Sequence, residues 1–159
     1  MDIYTVALFG HREISDLRGL EEAMTPVIEE VISNHSYVSF LIGRNGEFDE
    51  YAASVIKRVR RTKGEKTTDI TLVLPYSVAD IKYYESYYDS VIIPESLFSA
   101  HPKAKIELRN RYMVETADFV IAYVERNVGG AYRALKYAKK LKKQTVNLKN
   151  VENQRANLS

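Results

Sequence analysis

The feature that most constrains this chain is its regular alternation of short apolar runs with stretches of helical periodicity. Residues 6–9 form a continuous apolar run, which is typical of a strand covered on both faces, whereas apolar residues between 17 and 32 recur at helical spacing. Because strands connected through helices lie parallel, the alternation predicts an α/β fold, a three-layer sandwich with a mainly parallel sheet of about six strands. The predicted strands cover 3–9, 38–42, 70–74, 91–93, 119–124 and 145–148, and the predicted helices 17–32, 48–61, 80–88, 104–116 and 130–143.

Length and composition exclude several classes of function. The 159 residues carry a formal net charge of +2 and are 45% hydrophobic, which predicts a single domain over residues 1–149 followed by a polar tail over 150–159. The absence of cysteine excludes disulfides, thiolate zinc sites and a cysteine nucleophile. The chain begins without a signal-peptide pattern and no apolar run approaches ~20 residues, so we expect a cytoplasmic protein without membrane contact. The three histidines are widely separated, so no metal site is expected.

The loop after the first strand is the first candidate for ligand binding. Ligands of parallel α/β sheets bind beyond the carboxyl ends of the strands, and Gly10-His11-Arg12 follows the first strand there. Gly10 permits a tight turn and a close approach of ligand, Arg12 is suited to clamp a phosphate, and His11 to hydrogen-bond or stack. The alternative is an ordinary turn with a solvated arginine.

The loop after the second strand, Gly43-Arg44-Asn45-Gly46, precedes a helix. Glycines in this position expose backbone N–H groups to an anion, and the helix dipole favours negative charge there. No Gly-Lys-Ser/Thr follows, which excludes a P-loop. Asp49 in the first helical turn is predicted to accept hydrogen bonds from ribose hydroxyls, as acidic residues do in dinucleotide sites.

The loop after the fifth strand ends in Gly129-Gly130-Ala131 and also opens a helix. Two such loops at one sheet edge predict an elongated ligand with a phosphate, unless the glycines only let each turn close. The helix before the fifth strand contributes Arg109 and Asn110 as further candidates for ligand contact. Arg111 has acidic residues four positions away on both sides, so it is better explained as a surface ion-pair residue.

A tyrosine-rich band and two basic runs have competing explanations. The band, residues 83–88, is able to stack on a base or line a subunit contact, but such a band more often packs against its own domain. The basic runs, residues 57–61 and 136–143, lie in the later turns of helices and are best explained as solvated faces. Since Tyr137 is the one aromatic residue within these runs, nucleic acid is expected to be an unlikely partner.

Five segments, taken in chain order, carry a family resemblance. They are Phe9-Gly10-His11-Arg12; residues 43–49 with Ala52-Ala53; Arg109-Asn110-Arg111-Tyr112-Met113; residues 117–124; and Gly129-Gly130-Ala131 with Tyr137-Ala138. In this order and on these elements they resemble the SLOG superfamily, the Smf/DprA–LOG group of Rossmann-like domains. The resemblance covers residues 3–148 and is closest to small single-domain bacterial members of unassigned function.

The resemblance implies a nucleotide-derived ligand, such as a nucleoside monophosphate, ADP-ribose or an NAD-like molecule, and no resident cofactor. Enzymatic members, the LONELY GUY phosphoribohydrolases, cleave a nucleotide N-glycosidic bond with an Arg-Lys-x-x-Met motif and a glutamate in Pro-Gly-Gly-x-Gly-Thr-x-x-Glu. Arg109 and Met113 match the first motif, with Asn110 in place of the lysine. Depending on how the glycines are paired, Lys136 or Ala134 occupies the glutamate position, and neither supplies a carboxylate.

We therefore expect a domain that binds or senses a nucleotide-derived small molecule. One alternative is a nucleotide N-glycosidase with a relocated carboxylate, for which Glu47, Asp49, Glu115 and Glu125 are the candidates. The other is a DprA-like single-strand binder that uses the lysine stripe of residues 136–143. The tyrosine band adds the option of a homodimer.

Overall fold

The computed structural model describes residues 2–44 and 46–150, and the apolar runs within them form the strands. The strands are β1 (Tyr4–Gly10), β2 (Val38–Ile42), β3 (Thr68–Val73), β4 (Ser90–Ile92), β5 (Phe119–Tyr123) and β6 (Gln144–Asn147). The helices between them are α1 (Leu17–Asn34), α2 (Glu47–Lys63), α3 (Ile81–Tyr87), α4 (Lys105–Thr116) and α5 (Gly130–Lys140). Two short 3₁₀ turns, Glu95–Leu97 and Pro102–Ala104, lie in the segment that the sequence predicts as a loop.

All six strands of the described ranges pair in one parallel sheet of order β4-β3-β2-β1-β5-β6. The chain builds outward from β1 to β4 and then returns to place β5 on the other side of β1. The carboxyl ends of β1 and β5 coincide, because Gly10 pairs with Tyr123. The point where strand order reverses therefore lies between these two strands, which is where such sheets bind ligands.

The sheet is covered on both faces, which confirms the predicted three-layer sandwich. Successive residues of β1 point to opposite sides: Val6 and Leu8 pack into the core under α1 and α2, whereas Ala7 and Phe9 pack into the core under α4 and α5. All four side chains are buried. This explains why consecutive residues of β1 are all apolar, instead of alternating between apolar and polar.

Some boundaries differ from the sequence prediction for local reasons. α5 ends at Lys140 rather than near residue 143, because Lys142 adopts a left-handed backbone conformation with φ of 60°. Asp80 stands at the N-cap of α3, but its side chain makes no capping hydrogen bond. None of the helices in the described ranges combines the length and apolar character needed to span a bilayer. The predicted polar tail lies outside the described residues from position 151 onward.

Candidate functional site

The loops that follow β1, β2 and β5 surround one cleft of about 420 Å³ at the carboxyl edge of the sheet. Side chains from α4 close one of its sides. The cleft brings together twelve of the thirteen residues predicted from the sequence; the thirteenth, Asn45, lies outside the described residues. The twelve are Gly10, His11, Arg12, Gly43, Arg44, Gly46, Asp49, Arg109, Asn110, Gly129, Gly130 and Ala131.

The β1 and β2 loops are joined by backbone contacts that involve Glu47. The backbone N–H of Glu47 donates to the carbonyl oxygen of Arg12 at 2.8 Å, and its carboxylate accepts from the N–H of Ile14 at 2.9 Å. Gly10 is required for packing here, because a Cβ at that position would lie 2.0 Å from the Phe48 ring. Glu47 thus holds the loop after β1 in position and is engaged on the protein side of the cleft.

His11 connects the β1 loop to the β5 loop. Its Nε2 accepts hydrogen bonds from the backbone N–H groups of Glu125 at 3.0 Å and Arg126 at 3.4 Å. Because Nε2 acts as an acceptor, the imidazole is neutral at this nitrogen. Burial and the nearby Arg126 charge lower the pKa of His11, and Glu125 opposes that shift. His11 therefore uses Nε2 to stabilise the geometry of the β5 loop, whereas the sequence predicted that His11 would contact a ligand.

Arg109 forms the floor of the cleft and is 8% exposed. Its Nη1 donates to the carbonyl oxygen of Val73 at 2.9 Å, and its Nε donates to Oδ1 of Asn110 at 2.8 Å. The guanidinium lies flat against Gly43, where a Cβ would approach Nη1 to 3.2 Å. Burial lowers the pKa of Arg109, whereas the charge of Asp49 raises it. The guanidinium is thus rigidly held, and its remaining N–H groups have no partner in the described ranges.

Asp49 is the one carboxylate among the residues described around the cleft. Burial raises its pKa to about 7, Arg109 counteracts part of this rise, and Glu50 adds to it. Within residues 2–44 and 46–150 no side-chain or backbone donor hydrogen-bonds to this carboxylate. Asp49 therefore presents a group that exchanges a proton near neutral pH and that is free to accept hydrogen bonds from a ligand.

The N-terminus of α5 is the most favourable anion site in the cleft. Gly129 precedes it with φ of 95°, a conformation that L side chains rarely adopt, and no side chain caps the helix. The first backbone N–H groups of a helix have no partner within the helix, so they remain available to an anion. The first turn of α5 contains no acidic residue, whereas that of α2 contains Glu47, Asp49 and Glu50.

Arginine dominates the electrostatics of the cleft. Three arginines predicted from the sequence line it, and the structure adds Arg126 and Arg133, which the sequence analysis missed; together they are Arg12, Arg44, Arg109, Arg126 and Arg133. Tyr76 also lines the cleft and was not predicted. Arg126 lies in the loop after β5, three residues before Gly129, so its position was a usable signal. Arg133 lies one turn into α5 and gave no comparable signal.

The other carboxylates proposed as relocated catalytic groups are engaged away from the cleft. Glu115 accepts a hydrogen bond from the Tyr137 hydroxyl at 2.6 Å. Glu125 accepts one from the Tyr123 hydroxyl at 3.1 Å and pairs with Lys149 at 3.5 Å. No group of three or more acidic or histidine side chains within the described ranges is arranged to hold a metal ion.

Comparison with known proteins identifies the fold and no closer relationship. No protein-family model matches the sequence, and no curated protein matches it. DNA processing protein A (DprA) from Streptococcus pneumoniae superposes with a TM-score of 0.65 at 16% identity, over 90% of this chain and 49% of that one. DprA from Helicobacter pylori, whose structure is described as revealing a single-stranded DNA binding mode, gives 0.60 at 14% identity, over 96% and 73%. The chain thus spans about half the length of the Streptococcus protein.

These likenesses agree with the fold that the sequence resemblance implies, and they correct one expectation. The expectation that nucleic acid is an unlikely partner is wrong, because DprA proteins share this fold and the Helicobacter protein binds single-stranded DNA. That expectation rested on the basic runs of the helix surfaces. It left out the arginines of the ligand loops, Arg12 and Arg44, which line one cleft with Arg109. The closeness to small single-domain members stays a prediction.

Proposed function

We propose that the arginine cleft binds the phosphate of a nucleotide and that the chain acts as a nucleotide-binding module. The observation that carries the proposal is that five arginines and the uncapped N-terminus of α5 line one cleft, in which Asp49 is the one carboxylate among the described residues. Arginine side chains and backbone N–H groups at a helix N-terminus are the donors that phosphate prefers. The exposed guanidinium groups of Arg12, Arg126 and Arg133 neutralise the phosphate, and Arg109 faces the rest of the nucleotide.

Single-stranded nucleic acid is the first candidate source of that phosphate. Two observations support it: the fold shared with DprA proteins, and a cleft whose lining includes the exposed arginines Arg12, Arg126 and Arg133. A chain of phosphates also gains from several arginines at once, because each contact releases counterions. In this role the cleft holds one nucleotide and the strand continues over the adjoining surface.

A free nucleotide is the second candidate, and the shape of the cleft favours it. A volume of about 420 Å³ falls within the ~300–1,000 Å³ of typical small-molecule sites. Asp49 lies at the N-terminus of α2 without a hydrogen-bond donor in the described ranges, and a ribose with two hydroxyls would supply two. A ribonucleotide therefore suits this cleft better than a deoxyribonucleotide.

The proposal is tested by titrating labelled oligo-dT and AMP into the wild-type chain, Arg126→Ala and Arg18→Ala. Arg18 is an exposed arginine on α1 that pairs with Glu22, and it serves as the matched control. We expect Arg126→Ala to weaken binding, and Arg18→Ala to bind as the wild type does. For the oligonucleotide, removing one phosphate contact from a single strand lowers the salt slope by ~0.7.

The competition between the two ligands separates the candidates. AMP that displaces oligo-dT identifies one shared cleft, and release of adenine from AMP in the same samples would indicate a hydrolase that relies on Asp49. Equal affinity of the wild-type chain and Arg126→Ala for both ligands would refute the arginine cleft as the binding site.

A further inference from the structure

The tyrosine band continues the cleft onto the outer surface of the molecule. No residue of α3 is buried, and Tyr83 keeps 63% of its surface exposed. Tyr76, on the loop before α3, is 40% exposed and also lines the cleft. We call the residues Tyr76, Tyr83 and Tyr84, together with Arg44, the aromatic surface. The sequence interpretation in which the band packs against its own domain holds for Tyr84, Tyr87 and Tyr88, which pack into or against the core, but not for Tyr83.

Arg44 connects this surface to the cleft. Its side chain lines the cleft, its Nη1 donates to the Tyr84 hydroxyl at 3.2 Å, and its guanidinium carbon lies 5.7 Å from the centre of the Tyr84 ring. The Tyr83 ring then meets the Tyr84 ring edge-on, with 5.4 Å between their centres. One cation and two rings therefore form a continuous path from the cleft to an exposed ring.

The base of this surface is held by contacts beneath it. The Tyr87 ring packs edge-on against Tyr88 at 5.0 Å, and Lys57 from α2 places its Nζ 3.3 Å from the centre of the Tyr87 ring. The same Nζ also donates to the Tyr87 carbonyl oxygen. Because α3 is fixed to α2 by these contacts, Tyr83 is presented outward on a supported helix.

We propose that the aromatic surface stacks the bases of single-stranded nucleic acid, with Tyr83 as the principal stacking residue outside the cleft. The proposal rests on the proposed function, because it requires a phosphate in the arginine cleft. A basic groove beside exposed aromatic rings is the arrangement by which proteins bind single strands without reading sequence. Arg44 contacts a phosphate between the cleft-bound nucleotide and the next one, whose base lies on Tyr83.

The charges of the surface favour a polyanion over a second copy of this chain. Arg44 and Lys57 place cations against the rings, which attract phosphates and also strengthen the rings' own packing. Acidic groups on this side include Asp80, Glu85 and Asp89, of which Asp89 is paired with Arg60 at 2.5 Å. Along the path from the cleft to Tyr83, the charged group that contacts the rings is the cation Arg44.

The test compares Tyr83→Ala, Tyr83→Phe and Phe98→Ala in binding to fluorescein-labelled dT8 and to unlabelled dTMP. Phe98 is 66% exposed and does not line the cleft, so Phe98→Ala is matched to Tyr83→Ala for loss of an exposed ring. We expect Tyr83→Ala to weaken dT8 binding roughly fivefold to a hundredfold, the range for loss of one base–aromatic stack. Affinity for dTMP stays unchanged, and Tyr83→Phe keeps the affinity of the wild type for dT8.

Each remaining outcome overturns the proposal. If the wild type and Tyr83→Ala bind dT8 with equal affinity, Tyr83 does not stack on the bound strand. If the wild-type chain binds dTMP but not dT8, the stacking surface is refuted and the phosphate cleft stands. If it binds neither ligand, the stacking surface and the phosphate cleft are both refuted. Sedimentation of the same variants tests whether a second copy of this chain covers the surface instead. If Tyr83→Ala alone loses a dimer and its affinity for dT8 is unchanged, the surface is assigned to a second copy.

Discussion

Replacing Asp49 with asparagine should make the stability of this protein less dependent on pH. The folded chain raises the pKa of Asp49 from 3.8 to about 7, so between these values the folded state holds a proton that the unfolded state has released. Stability contributed by this site is therefore greatest at low pH and falls as pH rises towards 7. Three pKa units at ~1.4 kcal/mol each give about 4 kcal/mol for the whole window.

The part of this window that is open to measurement lies between pH 5 and pH 8. Integrating the same two pKa values over that interval gives a loss of about 2–3 kcal/mol in the wild type, which Asp49→Asn does not share. In a chain of this length that corresponds to roughly 5–10 °C in melting temperature. The attraction between Asp49 and Arg109 is already contained in this pH dependence, because Arg109 counteracts part of the rise in the Asp49 pKa that burial causes.

The assay is urea denaturation of the wild type, Asp49→Asn and Asp80→Asn at pH 5, 6, 7 and 8. Asp80 is exposed and makes no capping hydrogen bond, so its variant controls for the loss of one carboxyl group. We expect the free energy of unfolding of Asp49→Asn to increase steadily relative to that of the wild type as pH rises. The difference between Asp80→Asn and the wild type should stay constant. A constant difference between Asp49→Asn and wild type from pH 5 to pH 8 would show that the carboxyl is ordinarily hydrated, and the reasoning would be wrong.

Three further predictions follow from contacts around the cleft. His11→Gln should remove a pH dependence of stability that is opposite in sign to that of Asp49. Because folding lowers the pKa of His11, the stability of the wild type falls as pH drops below about 6.5. Thermal melts at pH 5 and 7 should therefore show a smaller fall in melting temperature for the variant. Arg109→Ala leaves the Val73 carbonyl without its hydrogen-bond donor and should lower the free energy of unfolding in urea by about 1–3 kcal/mol. Arg109→Lys should lower it by less. Gly10→Ala should cost a similar amount, because its Cβ meets the Phe48 ring, and combining it with Phe48→Leu should restore part of the loss.

The sequence alone predicted every strand and long helix of the described ranges to within a few residues. This succeeded because periods of 2 and 3.6 residues, and continuous apolar runs, report which faces of an element are buried. The sequence also identified the glycine loops at the carboxyl edge of the sheet, because a glycine that follows a strand and opens a helix is visible in the local sequence. These loops contain Gly10, residues 43–46 and Gly129-Gly130. The two 3₁₀ turns between β4 and α4 were not predicted, because three-residue turns have no periodicity to detect.

Only the tertiary structure decided which groups share the cleft and what state they are in. The return of β5 to the side of β1 brings Arg12 and Arg126 to one edge across more than a hundred residues of chain, and no local pattern encodes that order. The same return turns His11 into an acceptor for the β5 loop. The pKa of Asp49 likewise depends on burial that arises only when three loops meet. Local periodicity determines the elements, whereas the chemistry of the cleft depends on distances between residues far apart in the chain.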